Sequence, residues 1–436
     1  MLDIERIREN PAEIEKRLKS RQSDVQIDRI LELDEKRRRL ITEVEELRHE
    51  RNEKSKKIGK LKQEGKETEA EELIQKMGGV SDRIGELEDD LEAAETELQA
   101  EMARLPNIPH ESVPVSDNEK DKEVLAEYGK KPSFDFEPKN HLELGAELDL
   151  FRFDKASKIS GSRFPFYYGD GALLEMGLIN FMYFYQVEKN DYTPILPPYL
   201  ARDSSYYTSG QLPKFEEDLY RIDDRGKDDE TLYLNPTAES IIVNYHGDEI
   251  LDEEDLPEKL VAFTTCFRRE AGSYGEEERG LIRTHQFNKV ELFRFVRPEN
   301  SYSPHLEEII EDAESILREL DLHYRKVLLP TCDMAQQSSK TVDLEVWVPA
   351  QERYYEVSSI SNCEDFQARR GNIRYRPTSE ASDGSNQKPE YLHTLNGSGL
   401  ATSRLMVSLL EVNQTADGNV ELPDKLADYL GRDLLR

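Results

Sequence analysis

Charged and aromatic residues recur with a period of two in one segment of the chain. Phe287, Lys289 and Glu291 lie two residues apart, so on a β-strand their side chains face the same side of the sheet. Arg268 and Glu270 have the same spacing, and we predict that they lie on the preceding strand of one hairpin. A lone Arg-x-Glu pair is typical of a surface salt bridge, but five such groups would be costly to bury unpaired. They suit a flat, charged ligand: cations for phosphates, a ring for a base, and carboxylates for amines and hydroxyls.

Further segments combine glycine, hydroxyl and charged residues in ways that packing alone does not require. These segments are Gly210–Phe215, Asn235–Glu239, Glu356–Cys363 and Leu395–Arg404. His285 and Cys363 are expected to be a structural hydrogen-bonding residue and a core residue, respectively. No Ser-His-Asp set and no Gly-rich phosphate loop followed by lysine is evident. The sequence therefore does not call for a covalent mechanism.

The net charge of the 436-residue chain is −32, which is unusual for a protein that binds polyanions. One interpretation is a protein that avoids nucleic acid. The other is a protein from a salt-rich, haloarchaeal cytoplasm, where the repulsion among dense carboxylates is screened over a few ångströms. Acidic clusters such as Glu216–Asp218 and Asp252–Asp255 are scattered rather than confined to one tail, which favours the halophilic interpretation.

High salt provides a test of that interpretation. We expect the protein's activity to persist or rise in molar potassium chloride, because screening removes repulsion among the surface carboxylates. Activity and thermal unfolding should be measured across a salt series, with sodium sulfate as a second salt. Inactivation in molar potassium chloride would contradict the halophilic interpretation.

A long helical hairpin is predicted near the start of the chain. Residues 28–104 contain no proline and no aromatic residue, and are rich in Glu, Lys, Arg and Leu. Apolar residues follow steps of three and four, as in a coiled coil. They are Ile30, Leu33, Leu40, Val44, Leu47, Ile58 and Leu61, then Met77, Val80, Ile84, Leu87, Leu91, Ala94 and Leu98. A turn at Gly65 gives two helices of about 50 Å each, whereas a turn at Gly78–Gly79 would leave unequal lengths.

Such a hairpin is more often a dimerisation or spacer element than an RNA-binding element. Lysines nevertheless cluster near the tip of its first helix, and no acidic residue lies among them. These are Lys54, Lys56, Lys57, Lys60 and Lys62. In so acidic a protein this cluster favours contact with a polyphosphate backbone.

The rest of the chain predicts a separate body. Prolines end the helix after Leu105, and we predict an N-terminal domain over 1–108, a linker over 109–140 and a catalytic domain over 141–436. Helical segments, among them Ser303–Tyr324, and β-rich segments do not alternate regularly. This favours an α+β fold with a mostly antiparallel sheet flanked by helices. Three widely spaced cysteines and the lack of a long apolar run predict a cytoplasmic protein without zinc and without membrane association.

Taken together, the segments resemble seryl-tRNA synthetases, the class II synthetases that carry a coiled-coil arm. The resemblance covers the whole chain, and Gly210–Phe215, Thr237–Glu239 and Gly280–Glu291 are close to the family's own motifs. It implies activation of L-serine with ATP and Mg²⁺, and transfer to tRNA(Ser) and, as a further acceptor, tRNA(Sec). It also implies a homodimer with an interface near Pro198, and RNA binding by the arm.

The resemblance also assigns roles to individual residues. The catalytic residues would be Arg268 and Arg404. ATP would be bound by Arg268, Arg269, Glu270, Phe287, Lys289, Glu356, Val357, Ser358, Ser359 and Arg404, with Glu356 and Ser359 on the magnesium ion. Serine would be bound by Thr237, Ala238, Glu239, Arg268, Glu291, Asn396 and Ser398. The five lysines of the arm would bind transfer RNA.

Two departures and two alternatives accompany this assignment. The acidic run Glu276–Glu278 and the residue Arg269 are unusual where an acceptor stem must approach. One alternative is a class II ligase that loads a carrier protein, but such relatives lack the long arm. The other is a scaffold without catalysis, which would have lost Arg268, Glu291 or Arg404; all three are present.

Overall fold

The computed structural model describes residues 1–21, 24–222, 231–270, 279–378 and 387–436. The acidic run Glu276–Glu278 lies outside these residues. The chain divides into two compact units. One comprises Leu2–Lys19 and Ser23–Leu105, and the other comprises Met1, Ser20–Gln22 and Pro106–Arg436. Within the described ranges, no helix is both long and apolar enough to cross a membrane.

The smaller unit is the predicted helical hairpin with two short helices before it. Its helices are α1 (Ile4–Glu9), α2 (Pro11–Lys19), α3 (Ile27–Gln63) and α4 (Glu67–Arg104). The turn between α3 and α4 contains Gly65 at φ +75°, a left-handed conformation that glycine adopts without strain. Helix α4 runs without a break through Gly78–Gly79. The predicted hairpin and the position of its turn are therefore confirmed.

The two long helices are joined by an apolar seam and by ion pairs across it. Leu40 and Val44 pack with Leu87 and Ala94 in one cluster. The cross-helix pairs are Arg29–Glu97, Arg37–Glu95 (3.0 Å) and Arg48–Glu88 (2.7 Å). Arg37, although charged, therefore contributes to the contact between the helices, because its side chain reaches Glu95 on the opposite helix.

The larger unit mixes helices and strands. Its helices are α5 (His141–Glu147), α6 (Phe153–Ser160), α7 (Asp170–Asn190), α8 (Asp203–Ser209), α9 (Glu239–Ile242), α10 (Glu307–Glu319), α11 (Phe366–Gly371), α12 (Thr402–Val412) and α13 (Asp424–Leu430). Its strands are β1 (Glu123–Tyr128), β2 (Thr193–Ile195), β3 (Leu200–Arg202), β4 (Arg221–Ile222), β5 (Leu232–Leu234), β6 (Ile250–Asp252), β7 (Glu258–Phe267), β8 (Gln286–Val296), β9 (Tyr324–Leu328), β10 (Lys340–Val348), β11 (Arg353–Asn362), β12 (Arg374–Arg376), β13 (Glu390–Tyr391), β14 (His393–Ala401), β15 (Val420–Glu421) and β16 (Leu434–Leu435).

Among the described residues, eight strands form one large sheet in the order β1-β9-β10-β11-β14-β8-β7-β2. All neighbours in it are antiparallel except β2 and β7. Helices α7, α10 and α12 contribute Leu178, Ile309 and Leu405 to the core that also contains Val290 and Leu292 of β8. The predicted α+β class with an antiparallel sheet flanked by helices is confirmed.

The boundaries differ from the predictions in three places. The polar stretch expected to be a linker contributes β1, which pairs with β9 at the edge of the sheet. The helix expected to reach Tyr324 ends at Glu319, because Tyr324 begins β9. Strand β7 ends at Phe267, so Arg268 and Glu270 follow the strand rather than alternate on it, and Glu270 has a φ of +50°.

Candidate active site

A cavity of about 590 Å³ opens on the large sheet. It is lined by residues of β8, β10, β11 and β14, by the starts of α9 and α12, and by loops between these elements. Among the residues predicted to bind ligands, those that line it are Thr237, Glu239, Arg268, Glu270, Phe287, Lys289, Glu291, Glu356, Ser359, Asn396, Ser398 and Arg404. Residues up to 167 positions apart in sequence, Thr237 and Arg404, therefore face one space.

One group of polar side chains is buried at β8. Lys289 and Glu291 form an ion pair, with 8 % and 2 % of their side chains exposed. Thr237 donates a hydrogen bond to Glu291 Oε2 at 2.9 Å and accepts one from Lys289 Nζ at 2.8 Å. Ser398 on β14 is the register partner of Glu291. The period of two along β8 therefore brings Lys289 together with residues of the predicted serine set, although the prediction had placed Lys289 with ATP.

Glu239 forms the next part of the same group. It begins α9, and its Oε1 accepts hydrogen bonds from Gln337 Nε2 at 2.8 Å and from Gln367 Nε2 at 2.7 Å. Burial, and then the charge of Glu291, raise the pKa of Glu239 to about 7. A cationic ligand at this carboxyl would favour its charged form.

A second group of side chains contains residues that were predicted to bind the nucleotide. The guanidinium of Arg268 lies 5.2 Å from the ring centroid of Phe287, and its Nε donates to the carbonyl of Pro236 at 3.2 Å. Since Pro236 immediately precedes Thr237, Arg268 lies at the boundary between the two groups. Glu270 pairs with Arg283 at 2.6 Å.

The third group lies where β14 ends and α12 begins, and it connects α12 to β11 and to the loop before β8. Arg404, in the first turn of α12, donates from Nη1 to Glu356 Oε2 at 2.7 Å and from Nε to the carbonyl of Ile282 at 3.1 Å. A Cβ on Gly397 would lie 2.8 Å from Ile360 Cγ1, and one on Gly399 would lie 2.9 Å from Leu292 Cγ. These glycines thus allow β14 to pack closely between its neighbours before α12 begins.

A β-bulge explains why two residues three positions apart face the cavity together. Glu345 pairs with Glu356 and Leu344 pairs with Ser358, so Val357 has no partner on β10. The extra residue shifts the alternation of β11. Glu356 and Ser359 therefore both line the cavity, as their proposed common role requires, whereas regular alternation would put them on opposite faces.

Further carboxyl groups lie beside these two residues. Asp343 is the register partner of Ser359, and its buried Oδ1 has no hydrogen-bond partner among the described residues. Burial, and then the charge of Glu356, raise the pKa of Asp343 well above its usual value. Burial also raises the pKa of Asp333 to about 6. A cation bound on this side of the cavity would therefore stabilise the charged forms of these carboxyl groups.

Four predicted ligand residues do not line the cavity. Arg269 has an exposed side chain. Ala238 and Val357 are core residues. Ser358 is buried, and its hydroxyl donates to the carbonyl of Ser398 at 2.6 Å. With regular alternation Ser358 would share the face of Glu356, so the bulge in β11 is what moves Ser358 away from the cavity.

Sequence patterns missed other residues of the cavity. They include Gln211, Phe215, Arg283, Asp333, Gln337, Asp343, Ser361 and Ser403. Gln211 and Phe215 could have been named, because their segment had been singled out, but Gln337 and Asp343 carry no local signal. The expected structural roles of His285 and Cys363 are confirmed: His285 Nδ1 lies 3.1 Å from the carbonyl of Arg268, and Cys363 is fully buried.

Comparison with known proteins extends over both units. Residues 220–413 match the tRNA synthetase class II core domain (G, H, P, S and T), and residues 1–109 match the seryl-tRNA synthetase N-terminal domain. The serine--tRNA ligase of Syntrophobacter fumaroxidans is 48% identical over 431 residues, which cover 99% of both chains. The chain belongs to the seryl-tRNA synthetases. The serine--tRNA ligase of Thermoanaerobacter pseudethanolicus is 47% identical over 436 residues, which cover the whole of both chains.

Solved seryl-tRNA synthetases agree with the same assignment. The enzyme of Pyrococcus horikoshii, solved with ATP, has a TM-score of 0.89 and 38% identity, covering 100% of this chain and 99% of that one. The cytoplasmic enzyme of Naegleria fowleri, solved with AMP, has a TM-score of 0.85 and 29% identity with the same coverage. This seryl-tRNA synthetase is therefore a ligase that uses ATP to join serine to transfer RNA.

Proposed function

We propose that the cavity binds serine at the Thr237–Lys289–Glu291 group and ATP at the groups of Arg268 and Arg404. The observation that carries this proposal is the position of Arg268 between them, with Phe287 on one side and the carbonyl of Pro236 on the other. A cation at that point reaches both the serine carboxylate and the α-phosphate. It would neutralise charge where the two substrates meet.

The reaction follows from this arrangement. An oxygen of the serine carboxylate attacks the α-phosphorus of ATP, the bond to the β-phosphate oxygen breaks, and pyrophosphate leaves. A hydroxyl of the terminal ribose of the RNA then attacks the carbonyl carbon, and its proton passes to a phosphate oxygen of the leaving group. The bond from the carbonyl carbon to the phosphate oxygen breaks, and AMP leaves with its electron pair. Arg268 and Arg404 contribute alignment and charge neutralisation, so the chain supplies no covalent nucleophile.

Selection of serine is assigned to buried hydrogen-bonding groups. Glu291 and Ser398 are register partners on the adjacent strands β8 and β14, and their side chains would contact the serine hydroxyl. Alanine lacks the hydroxyl and would leave these buried groups without that partner. A site built to hydrogen-bond a hydroxyl therefore rejects alanine strongly. Glu239 would accept a hydrogen bond from the serine amino group, and Asn396 and Thr237 would line the rest of the pocket.

Magnesium is assigned to the carboxylate side of the cavity. Glu356 and Ser359 would hold the ion, and the unpartnered Oδ1 of Asp343 fits a cation nearby. No set of three His, Cys, Asp or Glu residues in the described ranges is arranged to hold a metal by itself. Phosphate oxygens would complete the coordination, as is usual for Mg²⁺. Bound there, the ion would offset charge on the leaving pyrophosphate.

RNA binding is assigned to the arm. Lys54 and Lys56 pair with Glu50 and Glu53 on their own helix, so the acidic residues before the cluster partly neutralise it. Lys57, Lys60 and Lys62 are exposed, and they are the better candidates for phosphate contacts. We assign tRNA(Ser) as the acceptor and tRNA(Sec) as a second one, and place the enzyme in the cytoplasm.

A homodimer interface is assigned to the exposed apolar residues of α7 and of the segment before Pro198. On α7, Leu173, Met176 and Phe184 are exposed and lie within one helical stripe. Leu196 is 77% exposed two residues before Pro198. Exposed apolar side chains that share a helical stripe, or lie close to Pro198 in the sequence, are typical of an interface between subunits.

A charge on this face should separate the subunits. We expect Met176→Asp combined with Leu196→Asp to give a monomer, because burying two carboxylates would cost several kcal/mol. Sedimentation velocity would measure the change. Val115→Asp is the control, since Val115 is similarly exposed, at 76%. A dimer that persists in the double variant would place the interface elsewhere.

The decisive test of the proposed function is ATP–pyrophosphate exchange with each of the twenty amino acids and magnesium, in low and high salt. Exchange with serine alone would support the assigned pocket. Exchange with another amino acid would refute the pocket assignment. Absence of exchange at every salt concentration would favour a scaffold without catalysis.

A further inference from the structure

A buried arginine outside the catalytic motifs is surrounded by backbone carbonyl groups. Arg21 is 8% exposed and follows α2 in the sequence. Its Nη1 donates to the carbonyls of Asn107 (2.8 Å), Ser338 (3.0 Å) and Gln336 (3.4 Å), and its Nη2 donates to those of Met334 (2.9 Å) and Ala335 (2.6 Å). Burial lowers the pKa of Arg21 to about 10, so the guanidinium remains charged at neutral pH. Four of these carbonyls belong to one loop, between β9 and β10.

Asn107 binds the same loop. Its Nδ2 donates to the carbonyls of Gln337 at 2.9 Å and Cys363 at 2.8 Å, and its backbone N–H donates to that of Gln336 at 2.8 Å. Together, Arg21 and Asn107 therefore bind all five consecutive carbonyls from Met334 to Ser338. Neither residue lines the cavity.

The opposite side of this loop faces the active site. Met334, Ala335 and Gln337 line the cavity, and the Nε2 of Gln337 donates to Glu239 at 2.8 Å. Glu239 is the carboxyl to which we assign the amino group of serine. The backbone of the loop is thus held by Arg21 and Asn107, while its side chains shape the serine end of the cavity.

The chemistry of the contacts makes this loop dependent on the cation. Several carbonyl dipoles that converge on one point repel one another unless a donor lies between them, and buried carbonyls without donors are costly. A guanidinium has five N–H donors in a planar array, whereas an ammonium group has three on a flexible stem. Lysine at this position would bind fewer of the carbonyls, and the loop would relax.

We propose that Arg21, with Asn107, is a positioning residue that sets the affinity for serine by holding the loop Met334–Ser338 against Glu239. The inference rests on the proposed serine pocket. It gives a role in amino-acid recognition to a residue that lies more than two hundred positions before Glu239 in the sequence.

The test is steady-state ATP–pyrophosphate exchange with the full-length Arg21→Lys and Asn107→Ala variants. We expect the KM for serine to rise by about tenfold, as small misplacements of a binding group do, while the KM for ATP stays within about twofold. Arg39→Lys is the matched control, because Arg39 is an exposed arginine of the arm. Active-site titration and thermal unfolding would give the folded fraction of each variant.

The outcomes separate this inference from the proposed function. A purely structural role would lower the folded fraction and leave the KM for serine unchanged in the molecules that fold, which would overturn the inference. If Arg21→Lys does not fold, Asn107→Ala decides by the same criterion. Lack of serine-dependent exchange in the unaltered enzyme would instead refute the proposed pocket.

Discussion

Replacing Glu291 with alanine is expected to lower kcat/KM for serine by about a thousandfold, equivalent to about 4 kcal/mol. The change removes the partner of the buried Lys289 ammonium and the acceptor for the Thr237 hydroxyl. It also removes the group assigned to the serine hydroxyl. Glu291→Gln keeps the shape and one acceptor, so its loss should be smaller. ATP–pyrophosphate exchange at varied serine gives the measurement.

The control for this prediction is a buried carboxylate outside the cavity. Glu314 is 1% exposed and accepts hydrogen bonds from Tyr324 at 3.2 Å and from Lys326 at 3.1 Å. Glu314→Ala should therefore lower stability without changing the KM for serine. ATP affinity, measured by equilibrium dialysis, should change little in the Glu291 variants. Equal losses of serine and ATP binding would contradict the role assigned to Glu291.

Shortening the arm should abolish transfer to RNA while sparing serine activation. Deletion of residues 49–82, closed by a short Gly-Ser turn, removes the five lysines and retains the Arg37–Glu95 and Arg48–Glu88 pairs. The larger unit contains the whole cavity, so exchange should stay close to that of the unaltered enzyme. Aminoacylation of tRNA(Ser) should fall by more than about a thousandfold, because phosphate contacts supply much of RNA affinity.

Charge reversal separates the lysines from the arm as a whole. Lys57, Lys60 and Lys62 changed together to glutamate should raise the KM for tRNA(Ser) and reduce its salt dependence, since each lost phosphate contact lowers the slope. Arg39→Glu, at another exposed cation of the arm, is the control. Charging retained after deletion of residues 49–82 would show that RNA is recognised elsewhere.

The alternatives raised by the sequence can be weighed against the same features. A ligase for a carrier protein lacks a long arm, and residues 1–109 match the seryl-tRNA synthetase N-terminal domain. A scaffold without catalysis would not need Arg268, Glu291 and Arg404 to face one cavity, as they do. The high negative charge is compatible with family membership, since the relatives at 47–48% identity extend over the whole chain.

The sequence alone determined the features that depend on local periodicity. Heptad spacing specifies the helical hairpin and places its turn at Gly65, because residues three and four apart share a helix face. Alternation specifies that Phe287, Lys289 and Glu291 point one way, because successive side chains on a strand face opposite sides. Resemblance in the motifs added proposed roles for individual residues, which spacing alone could not supply.

Tertiary structure decided the features that depend on which strands pair. The bulge at Val357 brings Glu356 and Ser359 to one face, and nothing in the local sequence marks it. Asp343 joins the site because β10 lies beside β11, and Arg21 reaches the loop Met334–Ser338 from a distant part of the chain. Contacts between residues far apart in sequence arise from chain topology and packing, which short-range spacing does not encode.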